Sequence, residues 1–357
     1  MADKFNIDHH KLNYHVGRVN DWLGKRTVYP IYVEISPAGA CNHRCTFCAV
    51  DYIGYKAVLL DAEVLKTRLT EMGRLGIKSV MYAGEGEPLL HKKLPEIIRH
   101  TKKSGIDVSI TTNAVPMTQQ WACEALEFIT WIKISINAGS PATYAKIHQT
   151  KESDFTTVIN NLENAVKVRN ERKWQCTLGA QMILLPENRH EAVNLARTVK
   201  SAGCDYLVIK PYSQHKSSIT RTYENIDYQL FMDLEDELKE LDDDHFQVIF
   251  REKTMRKTHE SEPYYKKCNA TPYFWAYIMA DGSLYGCSAY LLDDKFCYGN
   301  INQAAFQEIW EGEKRLKNID YVMNELNITD CRKNCRMDEV NRYLWDVVNP
   351  PAHVNFI

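Results

Sequence analysis

YPIYVEISPAGACNHRCTFC, residues 29–48, joins a run rich in Tyr, Ile and Val to a loop bearing Cys41, Cys45 and Cys48. The first half has the composition of a β-strand. Three thiols therefore sit within eight residues on the loop that leaves a strand, the place where α/β folds gather ligands. Three thiolates can hold a soft metal. Structural zinc takes four ligands, and no histidine here completes a pair-and-pair pattern, since His43 between two cysteines can scarcely turn to the same ion. A 4Fe-4S cluster held by three cysteines keeps one iron open to a substrate or cofactor.

Outward from this loop the chain alternates. Before it, His9 to Lys25 reads as an amphipathic helix carrying Leu12, Val16, Val19 and Leu23 and closed by Gly24. After it, helical stretches near Ala62 to Arg74, Leu94 to Ser104, Gln119 to Phe128, Phe155 to Arg172 and His190 to Ala202 are each followed by a strand-like run. Those runs are KSVMYAG (78–84), DVSITTN (107–113), WIKISINAG (131–139), CTLGAQMILL (176–185) and DYLVIKPY (205–212). Six strands alternating with helices argue for a parallel sheet with right-handed crossovers, open or curled toward a barrel.

CNHRCTFC, with Phe47 just before the last cysteine, resembles the Cys-x3-Cys-x2-Cys signature of the radical S-adenosylmethionine (SAM) family. The resemblance implies a partial (β/α)6 TIM-like barrel over about residues 27 to 215. It also implies a SAM-binding 4Fe-4S cluster on Cys41, Cys45 and Cys48, and S-adenosylmethionine at the open iron. One electron entering the sulfonium releases a 5'-deoxyadenosyl radical that takes hydrogen from substrate, while the protein positions the reacting carbon. A reductant such as flavodoxin or ferredoxin is implied as donor. Gly84-Glu85-Gly86-Glu87-Pro88 resembles the family's glycine and glutamate motif at the methionine amino group. Asn113, Ser135, Asn137 and Gln181 stand at strand ends where the family contacts the cofactor, although each is also an ordinary strand-end polar residue.

After Tyr212 the rhythm changes to a charged helix from Asp227 to Leu241, the strand FQVIF, and a region holding Cys268, Cys287, Cys297, Cys331 and Cys335. Within it, YFWAYIMADGSLYGCSAYL reads as two strands joined at Asp281-Gly282, a hairpin signal. Cys268, Cys287, Cys331 and Cys335 can close around one ion or cluster, four-cysteine zinc being the alternative. The Gly-x4-Cys hairpin and YGNINQAAFQEIW resemble the SPASM/twitch extensions of radical SAM enzymes, which implies a second, auxiliary 4Fe-4S cluster. The final Cys-x3-Cys departs from the commoner two-residue gap, leaving Cys297 as substitute for Cys335. Cys297 is otherwise a hydrogen-atom donor or a packed thiol. Expected domains are an N-terminal helical extension (1–26), the barrel (27–245) and the auxiliary-cluster domain (246–357).

The 357 residues suffice for one large domain or two smaller ones. With 44 Lys and Arg against 46 Asp and Glu, no electrostatic reason favours a nucleic-acid partner. The basic stretch Arg251 to Glu260 reads as a solvated surface. No apolar run reaches ~18 residues and the start lacks a signal-peptide layout, so a cytoplasmic protein without a membrane partner is expected. Cys123, Cys176 and Cys204 read as core, and His9, His10 and His15 as surface. Lys210 and Tyr212, with Ser213, Gln214 and His215, end the sixth strand toward the presumed substrate. Among twitch-type relatives, the carbohydrate and cyclitol members imply oxidation or epimerisation at a carbinol carbon of a sugar, cyclitol or nucleotide-sugar, with Cys297, Lys210 and Tyr212 as catalytic candidates. The alternative is a maturase of ribosomal peptides, against which the short segment before the first strand weighs.

Overall fold

A computed structural model describes residues 4–260 and 262–356; residues 1–3, which open the expected N-terminal extension, and residues 261 and 357 lie outside the described residues. One sheet organises the chain. Its strands are β1 (Tyr32–Ile35), β2 (Ser79–Tyr82), β3 (Asp107–Thr112), β4 (Trp131–Ser135), β5 (Thr177–Leu184), β6 (Tyr206–Pro211) and β7 (Gln247–Phe250), then β8 (Trp275–Ile278), β9 (Ser283–Tyr285) and β10 (Cys297–Asn300). The spatial order is β10-β9-β8-β1-β2-β3-β4-β5-β6-β7. From β8 through β7 every pair is parallel, while β8-β9 and β9-β10 are antiparallel. This is the mostly parallel α/β, partial TIM-like arrangement that the alternation predicts.

The helices are α1 (Val16–Leu23), α2 (Ala62–Arg74), α3 (Leu94–Lys103), α4 (Gln119–Ala125), α5 (Pro141–His148), α6 (Glu152–Arg172) and α7 (Ala192–Ser201). Those of the C-terminal part are α8 (Leu234–Lys239), α9 (Glu252–Arg256), α10 (Thr271–Phe274), α11 (Phe306–Glu311), α12 (Glu313–Asn324) and α13 (Asp338–Val348). Among the described residues no helix is long and apolar enough to cross a membrane.

Alternation within each strand sorts its side chains. Val33 and Ile35, Ile132 and Ile134, and Leu207 and Ile209 pack outward under the helices in one continuous core. Their neighbours Glu34, Lys133 and Lys210 therefore face inward. At the base of the barrel Tyr206, Val208 and Ile249 close on Phe5 and Ile7 from the N-terminal segment.

Two expectations need correction. The single helix over 9–25 is split at His15 into a 3-10 turn (Leu12–Tyr14) and α1. Only Leu12 and Val19 of its apolar stripe are buried; Val16 is 66% exposed and Leu23 47%. Second, α5 was not anticipated. Its start is well signalled by Ser140, whose hydroxyl accepts from Thr143 N, and by Pro141 in the first turn.

The hairpin forms where Asp281-Gly282 predicts it, Ile278 pairing with Leu284. Its first strand lies parallel to β1, so the C-terminal segment extends the barrel sheet.

Candidate active site

The cysteine loop is held from two sides. On one side, α5 ends beneath it, and its last carbonyls find partners there: Arg44 N donates to His148 O (3.1 Å) and Thr46 N to Ile147 O (2.9 Å). On the other side lies the turn 84–88. A Cβ on Gly86 would stand 2.2 Å from Ala38 O, and one on Gly84, at φ +123°, 2.3 Å from the Ser36 side chain. Only glycine permits this approach, and Glu87 N donates to Ala40 O (2.8 Å) to lock it.

Both carboxylates of the turn work within the protein. Glu85 accepts from Ala280 N (2.9 Å) and the Tyr277 hydroxyl (3.2 Å), tying the turn to the β8-β9 hairpin. Glu87 accepts from Leu89 N (3.0 Å), Thr112 Oγ1 (2.6 Å) and Asn113 N (2.8 Å). Burial pushes the Glu87 carboxyl up to about 7 against these donors.

Cys41, Cys45 and Cys48 face one another. Burial raises all three thiols, Cys41 to about 11, and the charge of neighbouring thiols adds to it at Cys41 and Cys45. Three crowded thiols without a cation are costly; a bound iron-sulfur cluster turns the same crowding to use. Each sulfur also has a donor. His43 N donates to Cys41 Sγ (3.5 Å), His148 Nδ1 lies 3.3 Å from Cys45 Sγ, and the Tyr55 hydroxyl bonds Cys48. His148 Nε2 faces the backbone N–H (3.4 Å) and side-chain amide (3.2 Å) of Asn137, which makes Nε2 the acceptor and Nδ1 the carrier of the proton. Phe47 packs edge-on to the His148 ring at 5.7 Å.

Of the other expected cofactor residues, Ser135 at the carboxyl end of β4 is the register partner of Gln181 within β5. Asn113 reaches the loop, donating to Asn42 Oδ1 (2.7 Å). Asn137 is a correction: it is fully buried, its Oδ1 accepting from Ile183 N (2.6 Å) and its amide meeting His148, so it braces the interior.

The second set is assembled from three separated pieces. Cys268 precedes α10, Cys287 follows β9, and Cys331 and Cys335 lie before α13. Burial and the neighbouring thiols raise Cys287, Cys331 and Cys335, which places these four together. Asn341 Nδ2 (3.3 Å) donates to Cys268 Sγ, Met337 N (3.4 Å) to Cys335 Sγ, and the Tyr290 hydroxyl lies 3.6 Å from Cys331 Sγ. Sulfurs that receive hydrogen bonds in this way suit thiolate ligands. Cys297 differs from them: its thiol, beside Tyr285, points to Gly299 O (3.8 Å), and burial is the main influence that raises it. Cys176 likewise points to the Thr177 carbonyl; Cys176 and Cys204 are buried, but Cys123 is exposed rather than core.

Lys210 faces the barrel interior, whereas Tyr212 is buried in the core at 7% exposure, its backbone N donating to the Tyr228 hydroxyl (2.6 Å). The following segment docks on the C-terminal part through His215 Nε2 and Ser288 O (3.2 Å). Sequence reasoning passed over His148, Tyr55, Glu34, Lys133 and Arg336. The last pairs with Glu34 and the Tyr32 hydroxyl, so the residue after Cys335 reaches the inner face of the strand that carries the first cysteine loop.

Residues 35–199 match the radical SAM superfamily, and residues 268–336 match an iron-sulfur cluster-binding domain, SPASM. GTP 3',8-cyclase of Vibrio parahaemolyticus is 30% identical over 169 residues, 45% of this chain and 48% of that protein. GTP 3',8-cyclase of Chlorobaculum tepidum is 37% identical over 91 residues, 25% of this chain and 27% of that one. The chain thus spans less than half the length of these curated relatives. Among solved structures, Streptococcus suis SuiB bound to S-adenosylmethionine has a TM-score of 0.63 at 15% identity, covering 86% of this chain and 72% of that one. The AdoMet-bound anSMEcpe has a TM-score of 0.59 at 19% identity, covering 88% of each chain. Both are likenesses of fold. With the two domains matched in this order, the chain carries a radical SAM domain followed by a SPASM domain, which supports a SAM-binding 4Fe-4S cluster and an auxiliary cluster.

Proposed function

We propose that this enzyme modifies a peptide by hydrogen-atom abstraction. S-adenosylmethionine, held at the cluster of Cys41, Cys45 and Cys48, supplies the oxidant on one-electron reduction. Cys268, Cys287, Cys331 and Cys335 would hold the auxiliary cluster, which would supply one-electron redox chemistry beside the substrate. The observation that carries the peptide reading is an open groove of about 780 Å³ between the barrel rim at Tyr212–Tyr228 and the loop around Cys331. That volume lies within the roughly 300–1,000 Å³ of small-ligand sites, so it is the open, unroofed form of the groove, rather than its size, that suits an extended chain. Two neighbours of the same fold are described with peptides, SuiB bound to precursor peptide SuiA and anSMEcpe with the Kp18Cys peptide.

The carbinol oxidation or epimerisation expected from the cysteine layout finds no support among the named relatives, which are cyclases of GTP and peptide modifiers. Cys297, whose thiol points to Gly299 O, is here a bystander to the four ligand cysteines, and Tyr212, in the wall of the groove, stays with Lys210 as a substrate-side candidate.

The test is anaerobic reconstitution with iron and sulfide, reduction, and measurement of 5'-deoxyadenosine against separate panels of peptides, sugar phosphates and nucleotides. Peptide-dependent stimulation with a matching mass change in the peptide supports the reading. Stimulation by a sugar phosphate or nucleotide alone overturns it.

A further inference from the structure

Two ammonium groups face the barrel interior with no ion-pair partner among the described residues, Glu34, the acid whose charge reaches Lys133, being held by Arg336. Lys133 on β4 lies between Ile132 and Ile134, both 0% exposed on the outer face, and Lys210 on β6 follows the equally buried Ile209. Both side chains keep partial solvent access and stand on the inner face of their strands, so that access opens onto the barrel interior. Arg336 shows the same signature, 40% accessible while enclosed.

The charges around this chamber do not cancel. Arg336 takes Glu34 and Arg251 takes Asp8. Arg332 adds a further positive charge near Lys210. Neither Lys133 nor Lys210 makes a hydrogen bond or an ion pair with any described residue; Lys133 Nζ has only the face of Trp131, 5.7 Å from the ring centroid. Burial and the neighbouring cations depress both amines, Lys133 to about 7 and Lys210 well below its usual range. Like charges held together in a protected interior cost stability, and a fold keeps such an arrangement where a ligand repays it.

We propose that Lys133 and Lys210 together bind an oxyanion of the substrate, a phosphate or a carboxylate, inside the barrel, with Arg336 on the opposite wall. The inference rests on the proposed function and adds to it that the anionic end of a substrate lying in the rim groove reaches into the barrel interior. It narrows that substrate to one whose anionic group enters ahead of the reacting carbon. An acidic side chain or a terminal carboxylate meets this need in a peptide; a phosphate ester meets it in a phosphorylated molecule.

The experiment uses the reconstituted holoenzyme saturated with S-adenosylmethionine. Inorganic phosphate and acetate are titrated separately, with thermal unfolding followed by circular dichroism as the readout, and S-adenosylmethionine affinity is measured in parallel. At least one anion stabilises the wild type. Lys133→Met and Lys210→Met each weaken that anion by about 10- to 100-fold, the loss of one charge-assisted hydrogen bond. Lys133→Arg, which keeps the charge, retains binding and controls for folding. Preference for phosphate assigns a phosphorylated group, and preference for acetate a carboxylate. Stabilisation by neither anion, equal stabilisation of wild type and both Met variants, or loss of S-adenosylmethionine affinity in place of anion affinity overturns the proposal. Anion binding is read without turnover, so a peptide panel that fails leaves this result standing, and the converse also holds.

Discussion

The two thiol sets of this chain solve opposite problems. Cys41, Cys45 and Cys48 come from eight consecutive residues, and the loop bearing them is shaped by backbone hydrogen bonds from α5 and by the glycine turn at 84–86. Cys268, Cys287, Cys331 and Cys335 come from three pieces spread over 68 residues. Protein structure prepares the first site and leaves it one ligand short, as a cluster that must meet a cofactor requires. The second offers four sulfurs from distant segments, so its cluster also serves as a cross-link. An open, preformed site should therefore lose chemistry when damaged, and a closed, assembled one should lose structure.

The largest effect is expected at the open site. Cys41→Ala, Cys45→Ala or Cys48→Ala should each reduce 5'-deoxyadenosine formation to background and remove one cluster's iron, while the thermal midpoint stays near that of wild type. A large fall in the midpoint would erase the contrast. Next, Cys268→Ala or Cys335→Ala should lower the thermal midpoint and expose residues 262–356 to limited proteolysis, with reductive cleavage of S-adenosylmethionine persisting. Cys297→Ala should do neither and keep full iron content, which separates the four gathered sulfurs from the one beside them.

Gly86→Ala tests how the first site is prepared. Its added carbon must displace the Ala38 carbonyl, an overpacking cost of about 1–3 kcal/mol that should appear as reduced iron retention after gel filtration.

The smallest effects concern charge and hydrogen bonds. His148→Phe removes the donor to Cys45 and should shift the first cluster's potential downward in an EPR redox titration, without loss of iron. In the ligand-free protein, Lys133 is depressed to about 7 when folded and lies near 10.4 when unfolded. The unfolded state then binds more protons between these values, so this residue makes stability rise as pH climbs from about 7 toward 10. Lys133→Met should flatten that rise in denaturant titrations at stepped pH.

Much of this was legible in the sequence because it is local. Six strands, the cysteine loop, the Asp281-Gly282 hairpin and both thiol sets follow from spacing and composition. The neighbours of β1 do not: nothing in residues 275–278 says that they pair with residues 32–35, because that pairing is set by closure of the whole sheet. α5 escaped because a short helix with three buried residues has little periodicity, although Ser140 and Pro141 marked its start. Lys133 looked like an ordinary polar residue in a strand, and it gains meaning only when the opposite face is known to be the core. Cys123 reversed its expectation for the same reason: helix α4 turns it to solvent.

The pairing of β8 with β1 also sets a timetable. On the ribosome, the strand that leads into the first cysteine loop remains an edge until residues 275–278 emerge, some 240 positions later. The hydrogen bonds from Ala280 and Tyr277 to Glu85, which steady the turn beneath that loop, arrive with them. Iron delivery to the first cysteine loop is thereby expected to follow synthesis of the hairpin, and a chain cut short before the hairpin would present three thiols on a half-built cradle.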